Sequence, residues 1–118
     1  MTESPSAEFV YHLARESAWN AAQESGTYTG ETDDRADGFL HFSTREQIVQ
    51  SAAIHRAGET GLVLLEVTTA AVGATLRWEE SRGGALFPHL YGDLPTTAVN
   101  SAHALPLDDE GVHVFPWD

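Results

Sequence analysis

Asp37-Gly38-Phe39-Leu40-His41-Phe42-Ser43-Thr44 decides the reading of this chain. Asp-Gly is a turn signal, Phe39 to Phe42 is a short aromatic-rich run with strand propensity, and Ser43 or Thr44 can cap a following helix. In an extended strand Phe39, His41 and Ser43 share one face, and Leu40 and Phe42 share the other. The stretch therefore predicts a strand that carries a histidine and a hydroxyl to a helix start, where unpaired N–H groups favour ligands.

On its C-terminal side, Ser43-x-x-Glu46 and Thr44-x-x-Gln47 both match the capping-box pattern and predict a helix from Arg45. Ile48, Val49, Ala52 and Ala53 supply its apolar face, and Gly58 is the expected C-cap. Leu62 to Val67 is a nearly all-apolar run, as in a strand buried on both faces. Thr68 to Gly73 reads as a turn or one helical turn, and Leu76 to Glu79 as a short strand. Phe87-Pro88-His89-Leu90-Tyr91-Gly92 reads as an irregular extended segment, since proline cannot donate to a central ladder. Strand character returns around Ala98-Val99 and in Val112 to Phe115.

On its N-terminal side, Thr27 to Ala36 reads as a polar loop. Before it, Arg15 to Ser25 predicts a helix stopped by Gly26, and Phe9 to Leu13 alternates as a strand with Val10 and His12 on one face. Together these elements predict an α+β domain over residues 9–118, with two helices packed on a small mixed, mainly antiparallel sheet. Residues 1–8 are expected to form a disordered tail.

The chain has 118 residues, enough for one domain with a core, and 42% hydrophobic against 20% charged residues is an ordinary globular balance. No apolar run reaches the length of a membrane span, and the N-terminus has no signal-like basic or apolar region. Cysteine is absent, which excludes disulfides and thiolate chemistry and fits a cytoplasmic protein. Eighteen acidic residues against six arginines and no lysine give a net charge of −12. Such a surface repels polyanions and disfavours nucleic acid, while leaving room for a small anion held by an arginine. Without lysine there is no Schiff-base chemistry.

His41 is the leading candidate, as a donor to a ligand hydroxyl or a general acid/base near neutral pH. His12, alone in an apolar strand, is read either as a satisfied core histidine or as its partner. Ser43 is a cap or ligand contact; residues two apart on a strand lie ~6.5 Å apart, too far for Ser43 and His41 to form a nucleophile–base pair. Trp78, Glu79 and Arg82 could stack on and neutralise a nucleotide or other anion, with core packing and surface pairing as their plain alternatives. His89 and Tyr91, two apart, project together. A metal site from His12, His41, His89 and Glu79 has no supporting H-x-x-x-H or H-E-x-x-H spacing.

The set Tyr11-His12-Leu13, Trp19, Asp37 to Thr44 with Gln47, Leu76 to Glu79, Arg82-Gly83-Gly84 and Phe87 to Gly92 resembles the bacterial domain-of-unknown-function family 952 over residues 9 to 116. More distantly, Tyr11-His12 followed by Leu40-His41-Phe42-Ser43-Thr44 is similar to the paired histidine strands of the ADP-ribosyltransferase fold, in the branch of the RNA 2′-phosphotransferases. That likeness implies an NAD-type or ADP-ribose-type pocket in which His12 holds a ribose and His41 with Ser43 contacts a second sugar or a phosphate. His12 is followed here by Leu13-Ala14 rather than Gly-Thr, and only Glu79 stands for the transferase glutamate. The expected function is binding of a nucleotide-like small molecule at His12, His41, Ser43, Trp78, Glu79, Arg82, His89 and Tyr91. If the protein is an enzyme, the reaction is transfer or hydrolysis at a ribose, with NAD as the candidate cofactor. The alternatives are a non-catalytic metabolite-sensing or protein-interaction module and, third, a metal-dependent hydrolase.

Overall fold

The computed structural model describes residues 8–81 and 84–117. Residues 1–7 of the expected tail, and Arg82 with Gly83, lie outside them. Three antiparallel sheets and four α-helices make up the described residues, an α+β domain. The α+β class and the mainly antiparallel pairing expected both hold, every named strand pairing being antiparallel; the correction is that the strands form three sheets rather than one small mixed sheet, with four helices rather than two.

The alternation in β1 (Phe9–Arg15) works as its sequence dictates, because β1 is covered on both faces. It pairs with β4 (Leu62–Thr68), and β4 pairs with β8 (Val99–Leu105). Val10 and Ala14, with Val63, Leu65 and Val67, join the main core with Trp19 and Ala22 of α1 (Glu16–Ser25). Tyr11 and Leu13, with Leu62 and Leu64, enter a second core under Ile48 and Ala52 of α3 (Arg45–His55). The all-apolar run of β4 is thus explained by burial on both sides.

α1 ends as predicted, with Gly26 in the left-handed region at φ 88° and its N–H on the Ala22 carbonyl at 2.7 Å. The polar segment after it is not a plain loop. It forms β2 (Thr27–Tyr28), which pairs with β7 (Leu94–Pro95), and a six-residue helix α2 (Thr32–Asp37). Short polar helices without an apolar stripe escape periodicity, and this one is held by side-chain bonds rather than by a hydrophobic face.

β3 (Leu40–His41) pairs with β6 (Leu86–Leu90), and β6 with β5 (Leu76–Glu80). Pro88 therefore sits inside a central strand, contrary to the irregular segment expected. Its carbonyl accepts the Phe42 N–H at 3.0 Å, so the face on which it lacks an N–H is turned toward the place where β3 ends. The missing bond is absorbed by the termination of the ladder. Just beyond, Tyr11 and Ser43 exchange two backbone bonds of 2.8 Å, which joins the two larger sheets at one point.

Thr44 and Gln47 form the capping box of α3: the Gln47 N–H donates to Thr44 Oγ1 at 3.2 Å, and the Thr44 N–H to Gln47 Oε1 at 2.9 Å. The C-cap is Arg56 rather than Gly58. α4 (Thr69–Val72) is the one helical turn expected after β4. Val112 to Phe115 is not a strand; only His113 makes a bridge there, to Leu107.

Leu65, completely buried in the main core, and Ile54, 59% exposed on α3, set a test of these layers. Leu65→Ala is expected to lower unfolding free energy by about 2–5 kcal/mol and Ile54→Ala to change it by less than ~0.5 kcal/mol, read from urea denaturation.

Candidate functional site

The chemistry of the site starts with Asp34, a carboxylate only 3% exposed in the middle of α2. A buried charge must be matched by donors. Its Oδ1 accepts the His41 backbone N–H at 2.8 Å and His41 Nδ1–H at 2.6 Å. Its Oδ2 accepts the Glu31 N–H at 2.6 Å and lies 3.5 Å from His12 Nε2. Burial alone would push this carboxyl up; the His41 bond, the neighbouring His12 and the two backbone N–H groups outweigh it and hold it down at about 2.

Gly30 makes the approach of Asp34 possible. It has φ 96°, and a Cβ there would come within 2.5 Å of Leu40 Cδ2 and 2.7 Å of Asp34 Cβ. Only glycine meets both the positive φ and the contact.

His41 is clamped between two carboxylates, since its Nε2 also lies 2.9 Å from Asp37 Oδ2. The Asp34 bond is the main influence raising its pKa, with partial burial working against it and Asp37 adding to the rise. With an acceptor on each nitrogen, the ring is a doubly donating imidazolium whose positive charge stays at the wall of the cleft. The general-base role weighed for His41 is therefore set aside, and an electrostatic or proton-donating role remains. Its side chain is 37% exposed, enough to meet a ligand.

His12 is buried and fully partnered. Its Nδ1 donates to the His41 carbonyl at 2.6 Å, and its Nε2 meets the Tyr28 hydroxyl at 2.8 Å. Tyr28 also donates to Glu31, which receives the Arg15 N–H at 3.2 Å on the same oxygen. His12 thus reaches His41 through two routes, the carbonyl and Asp34.

Four of the expected residues, His12, His41, Ser43 and His89, line one cavity of about 310 Å³ between α2, α3 and β3. His41 and His89 are cross-strand partners with ring centroids 5.9 Å apart. Phe39 stacks on His89 at 4.2 Å and tilts against His41 at 4.7 Å, so an aromatic pillar supports both.

Trp78, Glu79 and Tyr91 do not line that cavity. Strand alternation sends Trp78 with Leu76 against the main core, the packing role weighed for it. Glu79 acts from behind: its Oε1 accepts Tyr91 O–H at 2.6 Å and His89 Nδ1–H at 2.8 Å, and these bonds, Tyr91 first, hold its carboxyl below the usual range. It orients His89 rather than touching the cleft. Arg82 lies outside the described residues. The arginine that the structure does bring to the cleft is Arg56, 3.8 Å from Asp33 across the gap between α3 and α2.

Sequence reasoning missed Tyr28, Glu31, Asp34 and Arg56. Glu31-x-x-Asp34 has the spacing of a capping box, but glutamate is not a favoured N-cap residue, so the signal was weak. Among the described residues no group of three or more His, Cys, Asp or Glu side chains is disposed to hold a metal ion. No helix among them is long and apolar enough to cross a membrane.

Residues 13–102 match a protein family described as Protein of unknown function (DUF952). Protein CC0527 from Caulobacter crescentus has a similar fold and sequence. Its crystal structure superposes with a TM-score of 0.86 at 42% identity, covering 90% of this chain and 93% of that one. A double mutant of the same protein gives 0.85, and its solution NMR structure 0.81, each at 42% identity over 90% of this chain, with 93% and 91% of those chains covered. Among curated proteins none matches significantly.

The clamp around His41 predicts a pH dependence of opposite sign at each end. His41 has a raised folded pKa, so its contribution to stability is complete below 6.5 and is lost as pH rises through the folded value. Asp34 has a lowered one, so its contribution is complete above 3.8 and is lost as pH falls toward 2. Two-dimensional NMR of the histidine rings should show His41 titrating above 6.5 in the intact chain, and Asp34→Asn should bring that titration down.

Proposed function

The chain belongs to the DUF952 family, and from the geometry of its cleft we propose that it binds a small nucleotide-like ligand, of NAD or ADP-ribose type, between α2, α3 and β3. The observation that carries this reading is the His41 clamp: a cation fixed by Asp34 and Asp37 at the wall of a cavity that also holds Ser43 and His89. His41 would donate to a ribose hydroxyl or a phosphate oxygen, and Ser43 would add a hydroxyl contact. Arg56 would take the role of neutralising phosphate that the sequence suggested for Arg82.

The cavity, about 310 Å³, stands at the lower end of the roughly 300–1,000 Å³ of small-molecule sites. It suits one nucleotide-sized moiety better than a complete dinucleotide. The resemblance to the paired histidine strands of the ADP-ribosyltransferase fold supports the same ligand class. The charge of −12 argues against a polynucleotide.

Ribose-directed transfer or hydrolysis would use His41 as a fixed positive charge facing the oxygen on which negative charge develops. Glu79 would act through His89, by fixing the ring nitrogen that faces away from the cleft. One observation favours the non-catalytic alternative of a metabolite sensor: neither His41 nor the buried His12 has a ring nitrogen free of a partner, so neither serves as a base in this arrangement.

Titration with NAD, ADP-ribose and nucleoside monophosphates, followed at the His12 and His41 ring signals, tests the proposal. Shifts are expected with at least one of them, and His41→Ala should weaken binding about tenfold or more, the loss of one charged hydrogen bond of ~1.5–3 kcal/mol. No shift from any at millimolar concentration sinks the nucleotide reading. Single-turnover cleavage by wild type, absent in His41→Ala, would separate enzyme from sensor.

A further inference from the structure

Each sheet edge among the described residues is protected in some way except one. β1 is closed at Tyr11 by its double bond to Ser43. β5 carries Arg77, Glu79 and Glu80, and β2 and β7 are two residues long. Charges, shortness and cover are the usual means of keeping edges from pairing. β8 has none of these: it is seven residues long, lies at the end of the β1-β4-β8 sheet, and contains neither proline nor any acidic or basic residue apart from His103. Asn100, Ala102, His103 and Ala104 are exposed.

The bulge in β8 does not blunt it either. Glu66 pairs with Ser101 and Val67 with Val99, so Asn100 is the extra residue, and its side chain is drawn back to Glu66 Oε1 at 2.6 Å. From Ser101 to Leu105 the strand runs in regular register with β4. Beside it, Trp19 and Gln23 of α1 stand off from Val99, Ser101 and Ala102 and leave an open groove along the edge.

We propose that β8 is a self-association edge at which two copies of this chain pair antiparallel about Ala102, making one six-stranded sheet. Antiparallel pairing about the middle residue is self-complementary, as a two-fold interface requires. It sets Ser101 against His103 of the second copy, and Asn100 against Ala104, with no carboxylate meeting another. Electrostatics selects the same strip, because two chains of charge −12 repel at long range and their contact must be made where charge is absent. The remaining repulsion is screened by salt, so this dimer strengthens as ionic strength rises, opposite to an interface built on ion pairs.

Sedimentation velocity on the intact chain from micromolar to millimolar concentration, at low and high salt, tests this. Wild type should double in mass with concentration, at lower concentration in high salt, while Ala102→Glu, which sets two carboxylates face to face, should stay monomeric with unchanged circular dichroism. The natural chain has no cysteine, so Ala102→Cys should give a single covalent dimer under mild oxidation. A wild type that remains monomeric throughout, or an Ala102→Glu dimer as tight as wild type, overturns the proposal. Doubling without cross-linking of Ala102→Cys places the contact elsewhere and also overturns it.

Discussion

A carboxylate ion withdrawn from water must find its hydration replaced atom by atom, and the local structure around Asp34 follows from that requirement. Its four contacts come from three elements: the Glu31 N–H at the start of α2, the N–H and ring of His41 in β3, and His12 in β1. None of these can be moved without leaving a charge or a donor unpaired. The requirement extends to Gly30, whose missing side chain is the space that Asp34 and Leu40 occupy. A six-residue polar helix that would not persist alone is thereby held in one place.

The same bonds set the character of the two histidines, of which the sequence put His41 first and left His12 between a core residue and its partner. His41 stands at the surface between two acids and keeps its proton. His12 is packed between Tyr28 and Phe42, with ring centroids 5.3 and 5.2 Å away, and serves as a joint between them. Tyr28 has one hydroxyl proton and two neighbours. The hydroxyl donates to Glu31 and its oxygen lies against His12 Nε2, so both ring nitrogens of His12 are partnered within the fold. Burial and the Glu31 carboxylate push the tyrosine pKa far up, which keeps that proton in place. The paired-histidine site is therefore one exposed cation supported by one buried bracket.

What could be read in the sequence was what is decided locally. The alternation of β1, the apolar run of β4, the Gly26 stop and the Thr44–Gln47 box each depend on residues a few positions apart, and each is present in the fold. The pairing of His41 with His89 was half legible, since both lay on aromatic extended stretches but nothing local put them on adjacent strands. Asp34 was barely legible, through a weak capping-box spacing alone. It is one of 18 acidic residues, and only the tertiary meeting of α2 with β3 distinguishes it from a solvated neighbour. Pro88 misled for the converse reason: the rule against proline in a central strand is about a donor, and here the ladder ends where that donor would be needed. Trp78 was weighed both as a stacking group and as core, and strand alternation, which the same sequence shows, decides for the core side with Leu76.

α2 also bears on how an anion would be received. Its three aspartates face the two cations of the cleft: Asp33 is paired with Arg56, and Asp34 and Asp37 with His41. Asp33 and Asp37 are exposed and their pairs are therefore weak, whereas Asp34 is buried and its pair is not. An incoming phosphate or carboxylate would exchange with the first two and leave the third. The resting carboxylates hold Arg56 and His41 at the mouth, so little side-chain order is lost when an anion replaces them. The exchange would release the outer face of α2 while its inner face stays fixed through Asp34 to β3. A ligand would thus meet cations already oriented, in a protein whose overall charge opposes its approach, and selectivity would fall on small anions able to reach inside the ring of acids rather than on long polyanions held outside it.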